Sequence, residues 1–115
     1  MTVTIFHNPR CSKSRQTLAL LEEQGIQPIV REYLKVVPTV QELKDILNIL
    51  NMGPRELMRK KEAEYKKYNL GDSSLNDDAL LEAMINNPKL IERPIVIKNG
   101  KAAIGRPPED VLRIL

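Results

Sequence analysis

The sequence predicts an α/β fold in which a mixed four-stranded sheet carries an inserted helical block, in the order βαβ, helices, ββα. Three observations lead there. A β-branched, alternating run at residues 2–6 gives way to turn chemistry at His7-Asn8-Pro9-Arg10 and then to a helical run. The segment from about 39 to 87 is helical in character and falls between the two halves of the sheet. Two short runs near the C-terminus enclose Asn99-Gly100, the strongest two-residue hairpin signal.

Taken in order, TVTIF at residues 2–6 reads as a strand that HNPR stops. Residues 12–24 are good helix formers, with Leu18 and Leu21 on one face and Gly25 where a helix C-terminus favours glycine. A second strand is expected at 28–34, carrying Ile29, Val30 and Tyr33. A strand, helix, strand unit of this length implies a parallel pair with a right-handed crossover. Thr39 and Glu42 have the spacing of a capping box, after which Val40, Leu43, Leu47 and Leu50 recur at helical period. Gly53-Pro54 breaks the chain, and Pro54 suits the first turn of a short helix through Lys60. Asn76 is placed to cap a further helix with the stripe Leu80, Leu81, Met84 and Ile85, ending near Asn87-Pro88. Residues 94–97 and 101–104 form the arms of the hairpin, so this end of the sheet is antiparallel. Beyond Gly105, Arg106 and two prolines, residues 109–115 place Val111, Leu112 and Leu115 at helical spacing.

A chain of 115 residues fits a single domain spanning 1–115, and 42% apolar with 29% charged residues is a globular composition with an aliphatic core. No run approaches the roughly 18 apolar residues of a membrane span, and MTVTIFHNPR has no signal-peptide core, so a cytoplasmic protein with no membrane partner is expected. The basic residues Arg55, Arg59, Lys60, Lys61, Lys66 and Lys67 crowd one segment but lack interleaved aromatics, which reads as a solvated face and argues against nucleic acid. No bound metal and no tightly bound cofactor are expected.

The single cysteine, Cys11, forms no internal disulfide. It stands in a polar turn between Arg10 and Ser12, at the start of a helix and beyond the end of the first strand, where open α/β sheets bind ligands. A core cysteine belongs on an apolar stripe, so this one reads as chemistry. Only the thiolate is a good nucleophile. Lowering an ordinary thiol pKa of about 8.5 to about 6 takes roughly 3.4 kcal/mol, of which a helix N-terminus provides about 0.3 to 2. Cations or hydroxyls must supply the rest. Ser14 lies one helical turn on, Arg10 and Arg15 bring charge, and His7 offers a donor; each also has an ordinary structural use in a turn or first helical turn.

Further arginines fall at element ends: Arg59, Arg93 before Pro94, and Arg106 between Gly105 and Pro107. Arg93 and Arg106 flank the hairpin, whose ends lie side by side, and two adjacent guanidiniums repel unless an anion joins them. Guanidiniums match tetrahedral oxyanions, phosphate and arsenate being the candidates. A cysteine phosphatase cradle would place an arginine six residues after the cysteine, where this chain has Thr17. A dithiol thioredoxin would carry a second cysteine at Ser14, so an outside thiol must release any oxidised form of Cys11, and glutathione is the abundant cytosolic choice.

The segments HNPRCSKSR, LMRK, ERPIVI and IGRPPE, occurring in this order, resemble the signature segments of the ArsC family of glutaredoxin-coupled arsenate reductases. The resemblance covers nearly the whole chain and implies a thioredoxin-like domain with a helical insertion. It implies a Cys11 thiolate that attacks arsenate, with His7, Ser14 and Arg15 as helpers and Arg59, Arg93 and Arg106 binding the oxyanion. Glutathione and glutaredoxin would complete the cycle, and Pro94 matches the cis-proline of thioredoxin-like folds. The sequence ends at Leu115, where the better-known reductases of the family continue, so a short member is implied. Two alternatives stay open: a glutathione-linked thiol oxidoreductase acting on another substrate, and a redox regulator resembling the Spx proteins that binds RNA polymerase. Ser14 argues against the regulator, which usually carries a second thiol there.

Overall fold

The computed structural model describes residues 2–115. The chain forms two compact units, one made of residues 2–36 with Arg93–Leu115 and the other of Val37–Glu92.

The first unit is built on a four-stranded sheet in the order β2-β1-β3-β4. Its strands are β1, Val3–Phe6, β2, Ile29–Arg31, β3, Ile95–Lys98, and β4, Lys101–Ile104. β1 runs parallel to β2, with Phe6 opposite Arg31, and antiparallel to β3, with Phe6 opposite Ile95. The β3–β4 hairpin turns at Asn99 and Gly100, whose φ of 49° and 72° are the positive pair that a tight primed turn requires. Helix α1, Ser12–Glu23, makes the crossover between the parallel strands and ends before Gly25 at φ 76°. Val3, Ile5, Leu21, Val96, Ala103 and Val111 bury together as the core of this unit. The arrangement is the mixed α/β sheet that the sequence predicts, thioredoxin-like in type.

Three expected elements are cut short or change type. β2 is only three residues long, because the Glu32 carbonyl accepts from both Lys35 N–H and Val36 N–H at 2.9 Å and turns the chain away. Residues 54–60 hold a 3₁₀ helix at Pro54–Leu57 and then leave it, since Met58 bridges Ile91 and Arg59 N–H donates to the Leu90 carbonyl at 2.7 Å. The C-terminal helix, Pro108–Ile114, is 3₁₀ as well: Pro107 and Pro108 bring no N–H, and the bonds that close it, such as Asp110 N–H to Pro107 O, span three residues.

In the second unit, α2, Val40–Leu50, starts with the capping box of Thr39 and Glu42 and buries Leu43, Ile46 and Leu47. A short helix α3, Ala63–Lys67, escapes sequence reading because it buries nothing and so has no apolar stripe. Helix α4, Asp77–Asn86, is capped by Asn76, whose Oδ1 accepts from Ala79 N–H, and buries Leu80, Leu81 and Met84. Arg55 is no solvated charge: its Nε and Nη2 donate to the carbonyls of Leu70 and Asp72. Among the described residues no helix is long and apolar enough to cross a membrane.

Candidate active site

Cys11 is the N-cap of α1, in extended conformation at φ −93° and ψ 123°, and its partly exposed side chain makes no capping hydrogen bond. Its backbone is fixed on both sides: Cys11 N–H donates to Asn8 O, and Arg15 N–H donates to Cys11 O, each at 3.0 Å. Asn8 Oδ1 accepts from Arg10 N–H, and the Arg15 guanidinium donates to the Pro9 carbonyl at 2.9 Å. The turn that the sequence reads as HNPR is thus a preformed loop holding the thiol at the end of β1.

Behind this loop lies a buried polar junction. Ser14 is fully buried and His7 is 6% exposed. Ser14 Oγ accepts from Asn8 N–H at 3.0 Å and lies 2.6 Å from His7 Nδ1. The hydroxyl has one proton and two acceptor sites, so it meets the amide and the imidazole together. Burial pushes His7 below its ordinary pKa; Glu32 opposes that shift and Arg15 adds to it. The same residue continues the sheet, since His7 N–H donates to Arg31 O at 2.8 Å.

The other side of the sulfur is faced from the hairpin. Ile95 and Ile104 pair at its mouth, and Gly105 N–H donates to Pro94 O at 3.0 Å, so the chain ends carrying Arg93 and Arg106 run side by side. Arg106 Nη2 reaches to 3.7 Å from Cys11 Sγ, while its Nε donates to the Arg93 carbonyl at 2.8 Å. The Arg93–Pro94 and Arg106–Pro107 peptide bonds are cis. Arg59 belongs to the second unit, where its Nη1 meets Glu62 Oε1 at 2.8 Å and its Nε meets Glu92 Oε1 at 3.7 Å.

The structure therefore brings Cys11 together with Arg106 in one place, and His7 with Ser14 in another directly behind the thiol loop. Sequence reasoning aimed the Ser14 hydroxyl at the sulfur, whereas its contacts are with His7 and Asn8. It missed the carboxylates on Arg59, although Glu62 at i+3 was a legible signal. It also gave no part to Thr17, which is fully buried. Among the described residues no group of three or more His, Cys, Asp or Glu side chains is placed to hold a metal ion.

A thioredoxin-like sheet with a lone cysteine opening its first helix and a guanidinium against the sulfur defines a single-thiol protein of that fold. The chain belongs to the ArsC family, whose model matches residues 6–114. It is 60% identical to the uncharacterized protein YfgD of Escherichia coli (strain K12), over 98% of this chain and 96% of that one. It is 52% identical to an arsenate reductase of Haemophilus influenzae, over the full length of both. Among solved structures, an arsenate reductase from Vibrio cholerae superposes with a TM-score of 0.98 at 60% identity, covering 100% of this chain and 98% of the other.

Proposed function

We propose that this protein reduces arsenate to arsenite through the Cys11 thiolate, with glutathione and glutaredoxin as reductants in the cytoplasm. The observation that carries the reading is the contact of 3.7 Å between the Arg106 guanidinium and Cys11 Sγ at the opening of α1. A cation held there by the Arg93 carbonyl faces the sulfur and presents further donors to an approaching oxyanion. The names of the relatives point to arsenate as that anion.

In the proposed reaction the Cys11 sulfur bonds to arsenic as one arsenate oxygen leaves as water. A glutathione sulfur then attacks Cys11 Sγ, and the S–As bond breaks with its electron pair staying on arsenic. The products are arsenite and a Cys11–glutathione disulfide, which glutaredoxin and a second glutathione resolve, so two thiols supply the two electrons. Arg106 and Arg93 neutralise the oxyanion as charge builds on its oxygens. Arg59 joins this proposal on the resemblance of its LMRK segment alone, and Arg15 acts by bracing the loop through Pro9. Neutral His7 orients Ser14, and through it the Asn8 amide and the thiol loop.

The test is NADPH oxidation coupled through glutathione reductase in the presence of glutathione and glutaredoxin. Turnover should require arsenate and vanish in Cys11→Ser. A rate that does not depend on arsenate would refute the proposal and favour a general thiol oxidoreductase.

A further inference from the structure

We propose that Thr17 is a positioning residue, a wedge on α1 that seats Gly105 and thereby sets how closely Arg106 approaches the Cys11 sulfur. The inference rests on the reading of Cys11 as a nucleophile whose thiolate Arg106 favours.

Gly105 does not owe its identity to backbone conformation, because the positive-φ glycines are Gly25 and Gly100. Space is what forbids a side chain. A Cβ at position 105 would lie 2.5 Å from Thr17 Oγ1, 3.1 Å from Thr17 Cγ2 and 2.8 Å from Pro94 Cγ. Carbon contacts below about 3.5 Å are repulsive. The glycine backbone is thus pressed into a slot whose floor is Thr17 and whose wall is Pro94, with Gly105 N–H bonded to Pro94 O.

Thr17 is suited to be that floor. It is fully buried, its hydroxyl donates to the Lys13 carbonyl at 2.8 Å, and that bond within the helix fixes which way the side chain points. Its β-branched side chain is also stiff at χ1. Cys11 and Thr17 ride on the same helix, so one rigid element carries the nucleophile and meets the residue that precedes its cation. Immediately after the slot, Arg106 N–H donates to Ile104 O and its guanidinium is tethered to Arg93 O. Little slack remains between the seat of Gly105 and the 3.7 Å contact at the sulfur.

A new Cβ must push the loop back by about 1 Å to escape these contacts. Moving a unit charge from the observed 3.7 Å to about 4.7 Å at an effective dielectric of about 20 weakens its attraction for negative charge developing at the sulfur by about fivefold in rate.

The experiment measures the rate of Cys11 alkylation by iodoacetamide in the purified full chain, across the pH range in which thiols ionise, with unfolding curves taken alongside. Gly105→Ala should slow alkylation near neutral pH about fivefold and move the midpoint of the pH profile upward. Thr17→Ala, which empties the slot and loosens the seat, should move it in the same direction. Combining the two removes the contacts with Thr17 and leaves the one with Pro94, so the double variant should alkylate faster than Gly105→Ala. In an Arg106→Ala background Gly105→Ala should change nothing.

A wild-type profile in either single variant overturns the proposal, as does a double variant slower than Gly105→Ala. Should Gly105→Ala fail to fold, the profile of Thr17→Ala alone decides it, since core packing alone predicts no shift of the pH midpoint. If Arg106→Ala leaves the profile unchanged, the reading of Arg106 as the partner of the thiolate falls and this proposal falls with it. If Arg106→Ala shifts the profile and the slot variants do not, only the role of Thr17 is lost.

Discussion

Ser14→Ala is the sharpest perturbation of the framework behind the thiol. The serine hydroxyl is fully buried and joins two elements, accepting from Asn8 N–H at 3.0 Å and meeting His7 Nδ1 at 2.6 Å. Removing it leaves a backbone donor and an imidazole nitrogen in a site with little access to water. Each buried group stripped of its partner costs about 1 to 3 kcal/mol, so the pair should cost about 2 to 4 kcal/mol, allowing for partial relaxation. For a chain of this size about 3 kcal/mol lowers Tm by about 12 °C. Urea unfolding followed by circular dichroism at slightly alkaline pH, where His7 is neutral in both states, gives the value directly. Ser12→Ala, at an exposed neighbour in the same turn of helix, should stay within about 0.5 kcal/mol and serves as the control. A loss below about 0.5 kcal/mol for Ser14→Ala would show that the hydroxyl is not the junction its contacts describe.

Three further outcomes follow. Because burial lowers the pKa of His7, the native state binds fewer protons than the unfolded state at pH values just below the ordinary 6.5; stability is complete above that value and is lost as pH falls through the window down to the folded pKa, and His7→Gln should flatten this slope in pH-dependent unfolding. Glu62→Gln removes one of the two carboxylates that hold Arg59; both partners are about a quarter exposed, so stability should change by less than about 1 kcal/mol, while under the proposed function KM for arsenate falls by up to about fivefold. Thr39→Ala breaks the capping box of α2 at a cost of about 1 kcal/mol in urea unfolding, with the Cys11 alkylation rate unaltered.

The sheet was legible in the sequence because its signals are local. Alternation in TVTIF, the Asn99-Gly100 turn and the capping residues Thr39 and Asn76 each act within a few positions, and each appears where its chemistry puts it. Periodicity was less able to foresee which face of α1 turns inward. An apolar stripe through Leu18 and Leu21 was the expectation, yet Leu18 stays partly exposed and the fully buried positions are Ser14, Thr17 and Leu21. Two of those three are polar, satisfied by Asn8, His7 and the Lys13 carbonyl, and no hydropathy pattern reports partners of that kind. The contact between Arg106 and Cys11 joins residues 95 apart. The hairpin predicted that Arg106 would lie beside Arg93, but no spacing rule says which turn of which helix a hairpin mouth will face. Tyr33, placed in a strand by its residue type, is instead buried beside a turn, because the Glu32 carbonyl captures two later amides.

The least well capped of the long helices is the one that carries the thiol. α2 opens on Thr39 with Glu42 behind it, and α4 opens on Asn76 followed by Asp77 and Asp78, while α1 opens on Cys11 with no side-chain cap and no acidic residue in its first turn. A hydroxyl or carboxylate at that position would accept from the first turn and stabilise the helix by about 0.5 to 2 kcal/mol, whereas a thiol is a weak acceptor. The Cys11 backbone already has the extended conformation that capping residues adopt, so no rearrangement opposes the change. Cys11→Ser should therefore unfold a few degrees higher than the native chain, by about 4 °C for 1 kcal/mol, in a variant that under the proposed function has lost all turnover. Cys11→Asp should gain more, since its carboxylate also meets the helix dipole and faces Arg106. If both variants melt lower than the native protein, the sulfur contributes more through packing and its guanidinium contact than a cap would. If they melt higher, the position is held by a residue that the fold would be more stable without, which is the pattern expected where chemistry and not packing selects the side chain.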